Sequence, residues 1–215
     1  MKIIPALLAD HESEARRILE LGEEMAPPFL HLDVMDGQLV PSRSLDAGYW
    51  RDHSPALPFA VHLMVEHPLD YLEDFFRAGA FRITFHYESA DRPEEVIRRI
   101  KAYGIKAGMA LNPPTPPEAL KPYLPELDYL LVMTVHPGFY GSPFQPEALE
   151  KLPLLRNWGE NFILGVDGGV NLGTLPLLKR AGAQEANVGS YLFKAQDPLA
   201  NYRELTQLAL EFQEP

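Results

Sequence analysis

The feature that most constrains the fold is a repeat. Eight short runs of β-branched and aliphatic residues recur along the 215-residue chain, at 2–7, 29–33, 59–64, 82–86, 106–111, 129–134, 162–166 and 185–188. Amphipathic stretches alternate with them, at 11–24, 68–78, 92–103, 116–123, 146–157, 172–180 and 198–212, several opened by Asp or Pro and three closed near Gly79, Gly104 and Gly182. Apolar runs that alternate with helical periods predict a parallel sheet with helical crossovers. Eight units in one chain of this length predict an α/β protein with a single closed (β/α)8 TIM barrel over residues 1–215, since such barrels run from about 200 residues upward. Spacing alone leaves an open doubly wound sheet as the alternative. The first strand weighs against a dinucleotide fold, because IIPALLAD supplies no G-x-G-x-x-G.

Composition narrows the chemistry. The chain has no cysteine, which excludes disulfides, thiolate metal sites and a cysteine nucleophile and agrees with a reducing, cytoplasmic setting. Any metal must be held by His, Asp and Glu. A net charge of -11 argues against nucleic-acid binding, which needs clustered Lys and Arg. The N-terminal apolar stretch is too short and too soon acidic for a secretory signal, and no run approaches membrane-spanning length, so no membrane association is expected. An anionic substrate would have to be met locally, by backbone N–H groups, helix N-termini or a metal.

The densest polar signal is His31-Leu32-Asp33-Val34-Met35-Asp36-Gly37 at the end of the second strand. Strand alternation puts His31, Asp33 and Met35 on one face and Leu32 and Val34 on the other. In a barrel the apolar pair meets the helices, so an imidazole, a carboxylate and a thioether point into the lumen at its catalytic end. The third strand repeats the theme with His62 and Met64, the sixth ends in Met133, and the seventh runs into Asp167-Gly168-Gly169. Two histidines and two aspartates from three strands of one rim suit a divalent Zn, Fe, Mn or Co ion, with no organic cofactor. Plainer alternatives stay open: a satisfied core histidine, Asp33 capping a turn, Asp167 as a helix N-cap, and methionines that only pack. Two carboxylates facing one another suit proton removal from one face of a carbon and return to the other, with a cation stabilising an enediolate. Met35, Met64 and Met133 would then cushion a planar intermediate against water.

Gly168-Gly169 after strand seven and Gly189-Ser190 after strand eight occupy the loops where barrels frequently bind phosphate; a tight turn is the alternative for the glycine pair. The loop His136-Pro137-Gly138-Phe139-Tyr140-Gly141-Ser142-Pro143-Phe144 brackets aromatics with glycines and reads either as a lid or as a proline-stiffened turn. His86, at the end of strand four, reads as lining the cavity or as structural.

HLDVMDGQLVP, VHLMVEHPLDYLEDFFRAGA, ITFHYE, GMALNPPTP, LLVMTVHPGFYG, ILGVDGGVN and VGSYLF together resemble, in order and over nearly the whole chain, the signatures of the ribulose-phosphate 3-epimerases. The resemblance implies a ribulose-phosphate-binding barrel and metal ligation by His31, Asp33, His62 and Asp167. It implies acid/base roles for Asp33 and Asp167, with His62 also touching substrate. It places the substrate's phosphate near Gly138, Phe139, Tyr140, Gly141, Gly168, Gly169, Gly189 and Ser190. The implied ligand is a ketose phosphate, the implied reaction is C3 epimerisation of D-ribulose 5-phosphate to D-xylulose 5-phosphate in the pentose phosphate pathway, and a homo-oligomer is expected. The chain departs from the family pattern at Ala6, where a serine is usual, at Ser42, where asparagine is usual, and at His136 and Tyr140 in the sixth loop. These departures keep a related ketose phosphate, such as D-allulose 6-phosphate, and a non-catalytic sugar-phosphate binder in view. A decarboxylase of the same fold is expected to carry Asp-x-Lys-x-x-Asp, and DVMDG lacks the lysine.

Overall fold

The computed structural model describes residues 1–89, 91–138 and 142–211. Eight parallel strands close into a barrel in sequence order. They are β1 (Lys2–Leu7), β2 (Leu30–Met35), β3 (Phe59–Met64), β4 (Arg82–His86), β5 (Lys106–Leu111), β6 (Tyr129–Met133), β7 (Ile163–Asp167) and β8 (Glu185–Val188). Around them lie α1 (Glu12–Glu24), α2 (Ala47–Asp52), α3 (Leu72–Ala78), α4 (Pro93–Ala102), α5 (Lys151–Trp158), α6 (Leu175–Arg180), α7 (Ser190–Phe193) and α8 (Pro198–Glu211). No helix among the described residues is long and apolar enough to cross a membrane.

The expected barrel is therefore observed, with local corrections. β2 extends to Met35 because Val34 and Met35 continue the ladder against Leu63 and Met64. β7 includes Asp167, which pairs in register with Met133 on one side and Asn187 on the other. The stretch 116–123, expected as a helix, forms one short 3-10 turn instead, Pro117–Leu120, and a second, Leu124–Glu126, follows it. Pro113, Pro114, Pro116, Pro117, Pro122 and Pro125 crowd this connection; each removes a backbone donor and biases the preceding residue away from the α region. The β2–β3 connection, left without a helix by the sequence pattern, contains α2, opened by the Asp46 carboxylate accepting from the Tyr49 N–H at 3.0 Å.

Alternation along the strands divides the interior in two. Outward-facing Leu32, Val34, Val61, Leu63, Ile83 and Phe85 pack with helix residues such as Ile18, Trp50, Phe75 and Ile97 into one continuous core. Full burial of such a side chain is worth about 1.5–3 kcal/mol. The inward-facing residues are more polar. Near the N-terminal ends of the strands, Arg82 of β4 and Glu185 of β8 meet at 2.9 Å, both almost wholly buried, at an angle too sharp for a hydrogen bond. The Arg82 guanidinium lies 3.6 Å from the centre of the Tyr129 ring and faces Phe29 and Phe81 at 5.1 and 5.5 Å. This stack plugs the bottom of the lumen. It also dictates Gly165 on β7, where an added Cβ would fall 1.8 Å from the Tyr129 hydroxyl.

Candidate active site

The C-terminal ends of β2, β3 and β7 bring four side chains together above that plug. His31 Nε2 lies 3.3 Å from Asp33 Oδ1 and 3.5 Å from Asp167 Oδ2. His62 Nδ1 donates to Asp33 Oδ1 at 3.0 Å and lies 3.6 Å from Asp167 Oδ2. The donor atoms of all four residues fall within 4.8 Å of one another. A tetrahedral ion with bonds of about 2.1 Å to nitrogen and oxygen requires ligand separations of about 3.4 Å, and the four His–Asp contacts of 3.0–3.6 Å match that spacing. Both imidazoles are fully buried, while Asp33 and Asp167 keep 10% and 14% of their side-chain surface open. The histidines thus form the base of the site and the carboxylates its working edge.

The electrostatics follow from this packing. Burial alone would lower the pKa of His62, but the Asp167 and Asp33 carboxylates outweigh it and raise the value to about 9. His31 is shifted the same way by the same balance. Burial would raise Asp167, yet its contacts with His31 and His62 hold it well below the usual carboxylate range. In the metal-free protein two imidazolium-like rings neutralise two carboxylates. A divalent cation held by these four residues would take the place of those protons.

Each arm of the site is braced. Asp36 is structural: its Oδ1 accepts from the Gln38 and Leu39 N–H groups at 2.8 and 3.1 Å, and its Oδ2 accepts from Glu66 N–H at 2.7 Å, tying the end of β2 to the end of β3. Behind Asp167, Thr134 donates its N–H to the Asp167 carbonyl at 2.7 Å and its hydroxyl to the Gly168 carbonyl at 2.6 Å. Gly168 has φ +107°, and a Cβ there would come 2.4 Å from a Val135 methyl, so only glycine fits beside Asp167. Helix α6 begins after Thr174, seven residues beyond Asp167, which rules out the N-cap role for Asp167.

Above the four-residue cluster opens a cavity of about 560 Å³, counting its open mouth. Asp33, Asp167, Met35, Met64, Met133, Gly138, Gly168, Gly169, Gly189 and Ser190, all flagged in the sequence, line it. Phe139, Tyr140 and Gly141 lie outside the described residues. Of the departures, Ala6 lines the cavity, Ser42 borders an adjoining groove that also contains Arg43, and His136 is exposed. Sequence reasoning missed Asn187, whose Nδ2 lies 3.3 Å from His31 Nε2 in the same wall. The signal was present: in Glu185-Ala186-Asn187-Val188, alternation puts both polar residues in the lumen. His86 is resolved as fully buried beside His62 and does not line the cavity.

A closed barrel with nitrogen and oxygen donors gathered at its strand C-termini, under a pocket lined by glycine turns, defines the class of metal-assisted barrel enzymes. Comparison with known proteins narrows that class. Residues 2–193 match the pattern of the Ribulose-phosphate 3 epimerase family, and the chain belongs to that family. The Ribulose-phosphate 3-epimerase of Treponema pallidum (strain Nichols) is 40% identical over 197 residues, covering 89% of this chain and 90% of that protein. The Ribulose-phosphate 3-epimerase of Schizosaccharomyces pombe is 39% identical over 206 residues, covering 92% of this chain and 89% of its own length. Among solved structures, 3-hexulose-6-phosphate synthase from Salmonella typhimurium superposes with TM-score 0.73 at 18% identity, over 99% of this chain and all of that one. That likeness establishes the barrel alone.

Proposed function

We propose that this chain epimerises C3 of D-ribulose 5-phosphate, giving D-xylulose 5-phosphate, with Asp33 and Asp167 as the two proton carriers. The observation that carries the reading is the convergence of these carboxylates, from strands three steps apart around the ring, on the same pair of imidazoles at 3.0–3.6 Å. Inversion at carbon requires one group to remove a proton and another to deliver one to the opposite face. Two carboxyl groups with partly open edges, one taking up the proton while the other delivers one, supply both roles at one cavity. Met35, Met64 and Met133 give the cavity an apolar, polarizable wall that keeps water from the flattened carbon. Gly138, Gly168, Gly169, Gly189 and Ser190 form the glycine-rich end of the cavity, which suits a phosphate despite the chain's negative charge. Phe139, Tyr140 and Gly141 are assigned to substrate on the family resemblance. His31, Asp33, His62 and Asp167 would hold one Zn, Fe, Mn or Co ion, which when bound supplies positive charge to the oxygen beside the reacting carbon.

The test is solvent-deuterium incorporation at C3 of ribulose 5-phosphate, run with metal content measured on the same sample and D-allulose 6-phosphate as competitor substrate. Deuterium entering C3 of both pentulose phosphates, with loss on chelation and recovery on adding the metal back, is the expected result. A metal-loaded protein that incorporates none excludes the epimerase reading. Faster turnover of the six-carbon substrate would shift the assignment to that relative and place the cause near Ala6.

A further inference from the structure

The second nitrogen of His62 faces away from the carboxylates, and what it meets is unusual. His62 Nε2 lies 2.9 Å from Nε2 of His86, with the two rings stacked at 5.0 Å and 20° and both fully buried. Two imidazole nitrogens at that distance share one proton, so one ring must donate and the other accept. The next contacts decide which. His86 Nδ1 is 3.2 Å from Glu88 Oε2. Glu88 Oε1 in turn accepts from the Asn112 N–H at 2.9 Å and from the Thr115 hydroxyl. Burial would raise the Glu88 carboxyl, but its contacts with His86, Thr115 and the Asn112 N–H outweigh that and lower its pKa to about 2, so both oxygens accept. His86 Nδ1 must therefore carry a proton and donate it to Glu88. That leaves His86 Nε2 as a lone pair, and the shared proton belongs to His62 Nε2.

The far end of this chain of contacts is itself fixed. The buried ammonium of Lys151, on α5, donates to the carbonyls of Asn112, Pro113 and Thr115 at 2.8, 2.7 and 2.7 Å. It holds the proline-rich turn that presents the two donors to Glu88. Donors thus converge on Glu88 from both sides, from the turn that Lys151 holds and from His62 through His86, and their direction is set by an acid that lies outside the four-residue cluster.

We propose that His86 and Glu88 are positioning residues that lock His62 with its proton on Nε2, so that the Nδ1 lone pair is offered to a cation. This rests on the metal-site reading above and deepens it. An outer hydrogen-bond partner of a ligating histidine fixes its tautomer and ring orientation, and losing one typically weakens metal binding 10–100-fold. Here that partner is a second histidine, itself oriented by a carboxylate, and neither touches substrate or metal.

The experiment measures Zn²⁺ affinity of the full-length protein by competition with a chromophoric chelator. It compares wild type with His86→Phe, which keeps the ring and removes the acceptor, and His86→Gln, whose amide oxygen can again accept from His62. Long-range ¹H–¹⁵N spectra of the imidazoles are recorded on the same Zn²⁺-loaded samples. The expected result is a 10–100-fold weaker Zn²⁺ affinity in His86→Phe, most of it recovered in His86→Gln. Wild-type spectra should show His62 protonated at Nε2 and His86 at Nδ1. Equal Zn²⁺ affinity in wild type and His86→Phe overturns the positioning role while leaving the metal site intact. A wild type that binds no Zn²⁺ overturns the metal site, and the positioning role with it. Should His86→Phe fail to fold, Glu88→Gln gives the same readout. Its amide cannot accept from Asn112, Thr115 and His86 together, so weakened Zn²⁺ binding supports the relay and unchanged binding overturns it.

Discussion

Replacing Asp167 by asparagine tests the proposed division of proton transfer between the two carboxylates. The change keeps the shape of a side chain wedged 3.5 Å from His31 and 3.6 Å from His62, and Asn can still reach both rings, so the barrel is expected to fold. What is lost is the charge and the ability to take up a proton. A positioned acid or base contributes about 10²–10⁴-fold to rate. At about 1.4 kcal/mol per decade that is about 3–5 kcal/mol on the barrier. Asp33 remains, with 10% of its side chain open to the cavity and still in contact with His31 and His62. It can remove a proton from the face it sees and return one to that same face. The variant, saturated with metal to offset the lost ligand, is therefore expected to lose epimerisation by two to four decades. It should still exchange deuterium into one of the two epimers from D₂O. Proton NMR of each pentulose phosphate, incubated separately, reads both quantities. Epimerisation within tenfold of wild type, or equal exchange into both epimers, would refute the assignment of one carboxylate to each face.

Two further outcomes follow from the geometry. In the metal-free protein His62 titrates at about 9, above the ordinary histidine value of 6.5, so folding gains from its protonation below pH 6.5 and loses that gain as pH rises through 9. Thermal melts of the metal-free chain should therefore fall across that window, by the equivalent of about 3 kcal/mol. Stabilisation by added Zn²⁺ should grow over the same range as protons stop competing, and a flat metal-free profile would count against the carboxylate–histidine cluster. At the base of the barrel, Arg82→Met leaves the almost wholly buried Glu185 carboxylate with the more distant Lys2 ammonium at 3.9 Å and should cost about 3–5 kcal/mol in urea unfolding, whereas Arg82→Met with Glu185→Leu should recover most of it. Equal losses in the single and double variants would show that the ion pair is not what the lower lumen depends on.

Much of this was legible because a strand has a period of two. The alternation in HLDVM and VHLM fixed which residues face the lumen, and the structure places His31, Asp33, Met35, His62 and Met64 there. The same rule applied to β8 would have found Asn187. The fate of His86 was not legible, because its partners come from three connections: His62 on β3, Glu88 after β4 and the 112–115 turn after β5. Their meeting depends on barrel stagger, which no single segment encodes. The proline-rich stretch after β5 misled for a local reason, since its amphipathic spacing suits a helix that its missing N–H groups cannot complete. Helix α2 went unseen because six residues are too few to show a period.

The Arg82–Glu185–Tyr129 plug fills the lumen beneath the cavity, whose mouth lies at the C-terminal ends of the strands. Anything that reaches Asp33 or Asp167 arrives from above, and whatever is made there departs by the same route. A hydrogen taken from the sugar lies between the bound ligand and that plug, so while the sugar sits over the carboxylates its exchange with solvent is expected to wait on traffic through the rim. How much solvent label the returned, unepimerised sugar carries then reports the dwell time of the ligand rather than the speed of bond breaking, and widening the rim should raise that label without altering the chemistry beneath.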